Sequence, residues 1–266
     1  MAYYLTASFT AFLLSLNWFL KSYFQTIPKI LPQSPSSYCP NSDPCIRPDL
    51  LAFQATCAVP ILITALYGTK SYFALKRKED TTLEERVYGY SLPSIYLVSV
   101  NLAFQIFDIL ASLNLPEHFL PIPMFHHILA SLVLNLCLRH QTLSYYAPFY
   151  AGVTEVSTVP LVFVDIDKYF VITDPTLKGV AEISKAMFAV SFFGIRVGMW
   201  WGIWTPRLIK DVRDTRNGSK VKDLRKGKGY VLVIFVVVNV ALGAMQVFWA
   251  GKIISAVMDA VAEGEL

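Results

Sequence analysis

FHHILASLVLNLCL at Phe125–Leu138 and YYAPFYAGVTEVSTVPL at Tyr145–Leu161 follow one another within Pro121–Asp165, and their reading decides the fold. Both runs are apolar enough to enter a bilayer. Yet His126 and His127 head the first, and Glu155 sits inside the second. Ionisable groups are costly in hydrocarbon, so those retained there mark functional sites by default.

The chain around this stretch has the same character. Of 266 residues, 55% are hydrophobic and 16% charged, with a mean hydropathy of +0.47. That is too apolar for an ordinary soluble domain. The apolar residues fall into runs of about 20, the length a helix needs to cross about 30 Å of hydrocarbon. The alternating ten-residue segments of a β-barrel are missing. The sequence therefore predicts an all-α polytopic membrane protein with about seven transmembrane helices. The net charge is +4, and basic residues cluster in Lys76–Arg86, which also holds Glu79, Asp80, Glu84 and Glu85, and in Arg207–Lys228. With no soluble basic module, nucleic acid is not expected as a partner. These clusters read as connectors beside lipid headgroups.

The expected organisation is an N-terminal transmembrane helix in residues 1–24, a Pro/Ser-rich loop in 25–49, a membrane domain in 50–257 and a short tail in 258–266. Ala2–Phe24 lacks a basic n-region, which favours a retained helix over a cleaved leader. The prolines of Thr26–Asp49 exclude a continuous helix. The following helices are expected at Leu50–Leu75, Arg86–Asn114, Met124–Arg139, Tyr145–Val164, Gly179–Trp204 and Gly229–Val257. Asp165–Lys178 and Arg207–Lys228 then read as polar connectors. Both basic clusters follow even-numbered helices, which puts them in the cytosol and Cys39 and Cys45 in an oxidising compartment, where a disulfide is plausible. Cys57 and Cys137 lie in apolar runs and read as packing residues.

Polar residues inside the helices repeat at helical spacing. Asn101, Gln105, Asp108 and Ser112 share one face, as do His127, Ser131 and Asn135. Asn239, Gly243, Gln246 and Ala250 form a third stripe, and Arg196 lies deep in FFGIRVGMW. Such stripes can be helix–helix glue. The charged members cost more to bury, which points to a cavity lined by Gln105, Asp108, Glu155, Ser157, Arg196 and Gln246. Imidazole suits proton transfer near neutral pH, making His126 and His127 candidate catalytic bases. They point about 100° apart on a helix, so both cannot face one point. No HExxH or similar spacing supports a metal, and none is expected.

FHHILAS at Phe125–Ser131, EVST at Glu155–Thr158 and FFGIRVG at Phe192–Gly198 resemble the TLC-domain family. Its members include ceramide synthases, translocating-chain-associated proteins and smaller lipid-homeostasis proteins. Gln105–Asp108 and Asn239–Lys252 are weaker matches. The resemblance implies six helices in a ring around a lipid-accepting cavity, with Ala2–Phe24 as an extra helix. Ceramide synthases follow the paired His with a His-Asp-x-x-Asp. Here Ala151–Val164 supplies only Glu155, and Asp165 and Asp167 fall in the expected connector. The likeness is thus closer to the non-synthase branch. The family's usual cytosolic C-terminus conflicts with the basic load of Arg207–Lys228.

The expected function is membrane-lipid binding and lipid homeostasis in the endoplasmic reticulum or another endomembrane, without a cofactor. One alternative is an acyltransferase using acyl-CoA as substrate. The other is a trafficking or translocation accessory protein of the endoplasmic reticulum.

Overall fold

A computed structural model describes residues 1–28, 31–39, 45–76, 81–217 and 229–263. Much of both basic clusters, at 77–80 and 218–228, lies outside the described residues. The described chain is helical. The elements are α1 Ala2–Thr26, α2 Pro48–Lys76, α3 Leu83–Tyr88, α4 Leu92–Ser112, α5 Pro121–His140, α6 Ala147–Tyr150, α7 Thr158–Tyr169, α8 Pro175–Ser191, α9 Thr205–Asn217 and α10 Gly229–Glu263. A π-helical segment, Phe192–Trp204, joins α8 to α9 without a break.

Six stretches are long and apolar enough to cross a membrane: Pro48–Leu75, Leu83–Ser112, Pro121–His140, Ser144–Tyr169, Pro175–Asn217 and Gly229–Asp259. They close into a ring. α2 packs on α4, α4 on α5, α5 on α10, α10 on the π segment, α8 on α7, and α7 on α2. α1 lies outside the ring against α4 and α2. Its Thr6 and Thr10 hydroxyls donate to α4 carbonyls, at 3.3 Å to Ser99 and 3.5 Å to Ala103.

The helix ends segregate by chemistry. At one end Arg47 forks onto Asp49 and Glu117, with Nη1 2.5 Å from Glu117 Oε1. Cys39 and Cys45 form a disulfide beside it, and the loop backbone bonds Val171 at 2.7 Å through Gln33 O. The Arg47 ion pairs hold the Glu117 carboxyl below its ordinary range. At the other end Arg86 grips Asp211 with Nε and Nη2 at 2.6 and 2.8 Å, and the Tyr146 hydroxyl donates to the same carboxylate at 2.6 Å. This second network ties α3, α9 and the Ser144–Tyr146 turn together. The ring thus has a disulfide end and a basic end.

Several boundaries differ from the sequence expectation. The expected helix Arg86–Asn114 is two helices, because Thr82 caps α3 in a capping box with Glu85 and Pro93 restarts the chain at α4. Arg207 onward is not a connector. α9 runs to Asn217, burying Leu208, Val212 and Asp211 while exposing Lys210 and Arg213. At 1.5 Å per residue, the 43 residues of Pro175–Asn217 extend roughly 60 Å, twice the hydrocarbon thickness. The charged α9 therefore extends beyond the hydrocarbon and forms part of the basic end. Asp165 and Asp167 are not in a loop either, since α7 continues to Tyr169. α10 likewise runs on through residue 263 of the expected tail.

The expected helix Tyr145–Val164 is the most interrupted. Prolines and Gly152 divide it into a 3₁₀ turn, α6, a second 3₁₀ turn at Val153–Val156, and α7. Gly152 meets Gly68 of α2 so closely that a Cβ on either would overlap the other's backbone. Only two glycines allow that approach, and it brings the Glu155 turn into the ring.

Candidate functional site

Two adjoining cavities run through the ring. The larger, about 550 Å³, opens towards the disulfide end between α2, α4, α5, α7, α8 and α10. Its apolar wall includes Ile61, Phe104, Leu161, Phe188, Phe192 and Trp249. The narrower, about 80 Å³, extends towards the basic end. Gln105, His126, Glu155 and Arg196 line both and form the neck between them. Asp108 and His127 face only the larger cavity, and Gln246 only the narrower one. Ser157 is buried behind the neck.

The neck is built by the interrupted helix. Opening the backbone at Val153–Val156 leaves carbonyls and hydroxyls without helical partners, and Arg196 takes them up. Its Nε donates to Thr154 O at 3.2 Å and Ser157 Oγ at 2.8 Å, and Nη2 donates to Thr158 Oγ1 at 2.6 Å. Thr158 in turn donates to Glu155 Oε2 at 2.8 Å, while Arg196 Nη2 lies 3.6 Å from the same oxygen. The Arg196 and Glu155 side chains are 12% and 10% exposed, so each needs the other's charge. The π-helix widens the backbone where Arg196 leaves it, a distortion that often accompanies functional sites.

The polar face of α4 forms a directed chain of hydrogen bonds. Asn101 Nδ2 donates to the Ala151 carbonyl at 3.2 Å and to Glu155 Oε1 at 3.5 Å. Because a carbonyl can only accept, this sets the Asn101 amide. Asn101 Oδ1 then accepts from Gln105 Nε2 at 3.1 Å, leaving Gln105 Oε1 to accept from His127 Nδ1 at 2.6 Å. The Nδ1 proton of His127 is thereby fixed, and Nε2 faces Asp108 Oδ1 at 3.4 Å. A proton taken up at Nε2 would therefore lie against the Asp108 carboxylate. Asp108 also accepts from Ser112 at 3.2 Å.

The adjacent histidines are not equivalent. His126 has a buried Nδ1 without a hydrogen-bond partner, and its ring packs edge-on against Trp249 at 5.3 Å. Gln246 is fully buried, and neither end of its amide is bonded among the described residues. At the mouth of the larger cavity His118 packs against Phe53 with the rings tilted and their centres 4.5 Å apart, and burial pushes its ring pKa down. His118 was not expected from sequence, because it stands in a proline-rich loop rather than on a helical stripe. Asp165 and Lys168 were also missed. Their spacing from Thr158, seven and ten residues, is the signal that places all three on one face of α7. Among the described residues no cluster of three or more metal-ligating side chains occurs.

No curated protein and no solved structure matches the chain. A family model described as the TLC domain matches residues 50–255, which span the ring, both cavities and the neck. An all-helical chain whose six membrane-spanning stretches enclose that site, matched over most of its length, belongs to the TLC-domain family.

Proposed function

We propose that the ring binds a membrane lipid and that the protein acts in membrane lipid homeostasis. The supporting observation is the 550 Å³ cavity, an apolar chamber with convergent polar groups at its inner end. Its size and lining suit a ligand-binding site. A lipid places its chains against Phe104, Phe188 and Phe192 and a polar group within reach of Asp108, His127 and the neck. Lipid extraction and mass spectrometry of the protein purified in a mild detergent should recover a stoichiometric lipid. Recovery of only detergent, after expression in a eukaryotic membrane, would remove this reading.

A second reading, acyl transfer from acyl-CoA, is favoured by one arrangement. His127 faces the cavity with its tautomer held by Gln105 and its other nitrogen beside Asp108. That geometry resembles an oriented general base.

The protein resides, on this proposal, in the endoplasmic reticulum or another endomembrane, with the disulfide end in the lumen. The Cys39–Cys45 pair and the basic opposite end support that orientation. In a chain with Cys57 and Cys137 replaced by Ala, reduction followed by a membrane-impermeant maleimide should label Cys39 and Cys45 only after vesicles are permeabilised. Labelling of sealed vesicles would put the loop in the cytosol.

A further inference from the structure

The mouth of the larger cavity carries one carboxylate and two ammonium groups that form no close ion pair among the described residues. Thr158, Leu161, Val162, Asp165 and Lys168 line the cavity from one face of α7. Thr158 belongs to the neck. Lys168 lies one residue from the end of α7, so this face climbs about 15 Å from neck to mouth. His118, from the loop between α4 and α5, lines the same mouth. The mouth therefore sits at the level of the loops, where headgroups lie.

Other carboxylates around the cavity have partners. Glu155 has Arg196, Asp108 has His127 and Ser112, and Asp167 has Lys185 at 2.8 Å. Asp165 is partly buried and makes no hydrogen bond or ion pair among the described residues. Among the described residues Lys168 and Lys252 also lack carboxylate partners within ion-pair distance. Lys168 reaches the Tyr169 hydroxyl at 3.5 Å, and Lys252 lies 5.8 Å from the Phe248 ring centre. Asp165 thus lies one turn of α7 deeper than Lys168, and Lys252 lines the same cavity from α10. Asp165 and Lys168 are separated by about 4.5 Å of helical rise.

We propose that this mouth holds the headgroup of a zwitterionic phospholipid with a primary amine, its ammonium on Asp165 and its phosphate between Lys168 and Lys252. Asp165 and Lys168 share one face of α7 within one helical turn, so a headgroup with an amine and a phosphate two carbons apart can meet both. A purely anionic headgroup would satisfy the lysines but meet repulsion from Asp165. This assignment rests on the lipid-binding reading and adds the class of lipid.

The test is native mass spectrometry of the detergent-purified full chain, titrated with phosphatidylethanolamine or phosphatidylglycerol carrying identical acyl chains. The parent protein should retain phosphatidylethanolamine preferentially. Asp165→Asn should lower its retention about tenfold, the scale of one charge-assisted hydrogen bond, without lowering that of phosphatidylglycerol. Asp165→Glu should keep most of the preference, and Lys168→Gln with Lys252→Gln should weaken both lipids. An unchanged lipid ratio in Asp165→Asn, or a parent preference for phosphatidylglycerol, overturns the headgroup assignment and leaves lipid binding in place. Failure of the parent to retain either lipid also overturns the headgroup assignment, and the lipid-binding reading falls with it only where extraction of the purified protein recovers detergent alone.

Discussion

An Arg196→Met protein is expected to lose about 3–5 kcal/mol of stability, read as a lower thermal midpoint in detergent. Methionine fills much of the arginine volume, so the loss is electrostatic rather than a cavity effect. It leaves Glu155, 10% exposed, with Thr158 and Asn101 but no cation. It also strips donors from Thr154 O and Ser157 Oγ. Glu155→Gln should destabilise as well, because Arg196 then lies buried without a counter-charge. The double variant should recover part of the loss, since a buried pair removed together leaves no lone charge. Coupling between residues in direct contact typically reaches about 0.5–3 kcal/mol. Two additive single losses would show that the pair is not coupled and that the neck is held by its hydroxyls alone.

Much of this neck was legible before any coordinates. Glu155 and Arg196 stand out because each is the lone charge in its apolar run, and burial makes such residues expensive. The 4, 3, 4 spacing of Asn101, Gln105, Asp108 and Ser112 identified the polar face of α4, and all four take part in the bonds described. What sequence spacing could not provide is the phase between helices. That phase puts Gln246 on the narrower cavity while Asp108 and His127 face the larger one. Nor could it show that α7 begins afresh at Thr158. A helix counted continuously from Tyr145 loses its register at Pro148 and Gly152, and Asp165 then appears to lie beyond the helix. With the break at Val153–Val156 in place, Asp165 becomes a cavity residue. The basic clusters misled for a different reason. Local charge suggested a connector, but Leu208, Val212 and Asp211 recur on one side of α9 and are buried against the ring. Tertiary packing overrides local polarity there.

The paired histidines separate the two functional readings most sharply. On the acyl-transfer reading, His127→Ala should reduce turnover by about 10²–10⁴-fold, the usual contribution of a general base. The reason lies in the bond chain behind it. The Ala151 carbonyl orients Asn101, Asn101 orients Gln105, and Gln105 holds the Nδ1 proton of His127. Nε2 is then presented to the cavity beside Asp108. Gln105→Leu should lower turnover too, by freeing the ring, while leaving lipid retention nearly intact. His126 has no such orientation. Its ring fills space against Trp249, so His126→Phe should keep that packing and change turnover only a few-fold. The measurement is acyl transfer from acyl-CoA to a panel of long-chain amine and lysophospholipid acceptors, with thermal midpoints recorded in parallel. Loss of turnover in His126→Phe with retention in His127→Ala would reverse the assignment of the base. A parent protein that transfers to none of these acceptors, while retaining a lipid, would leave the directed bond chain as a device for holding the cavity wall in shape. His127→Ala would then appear only as a loss of stability and lipid retention.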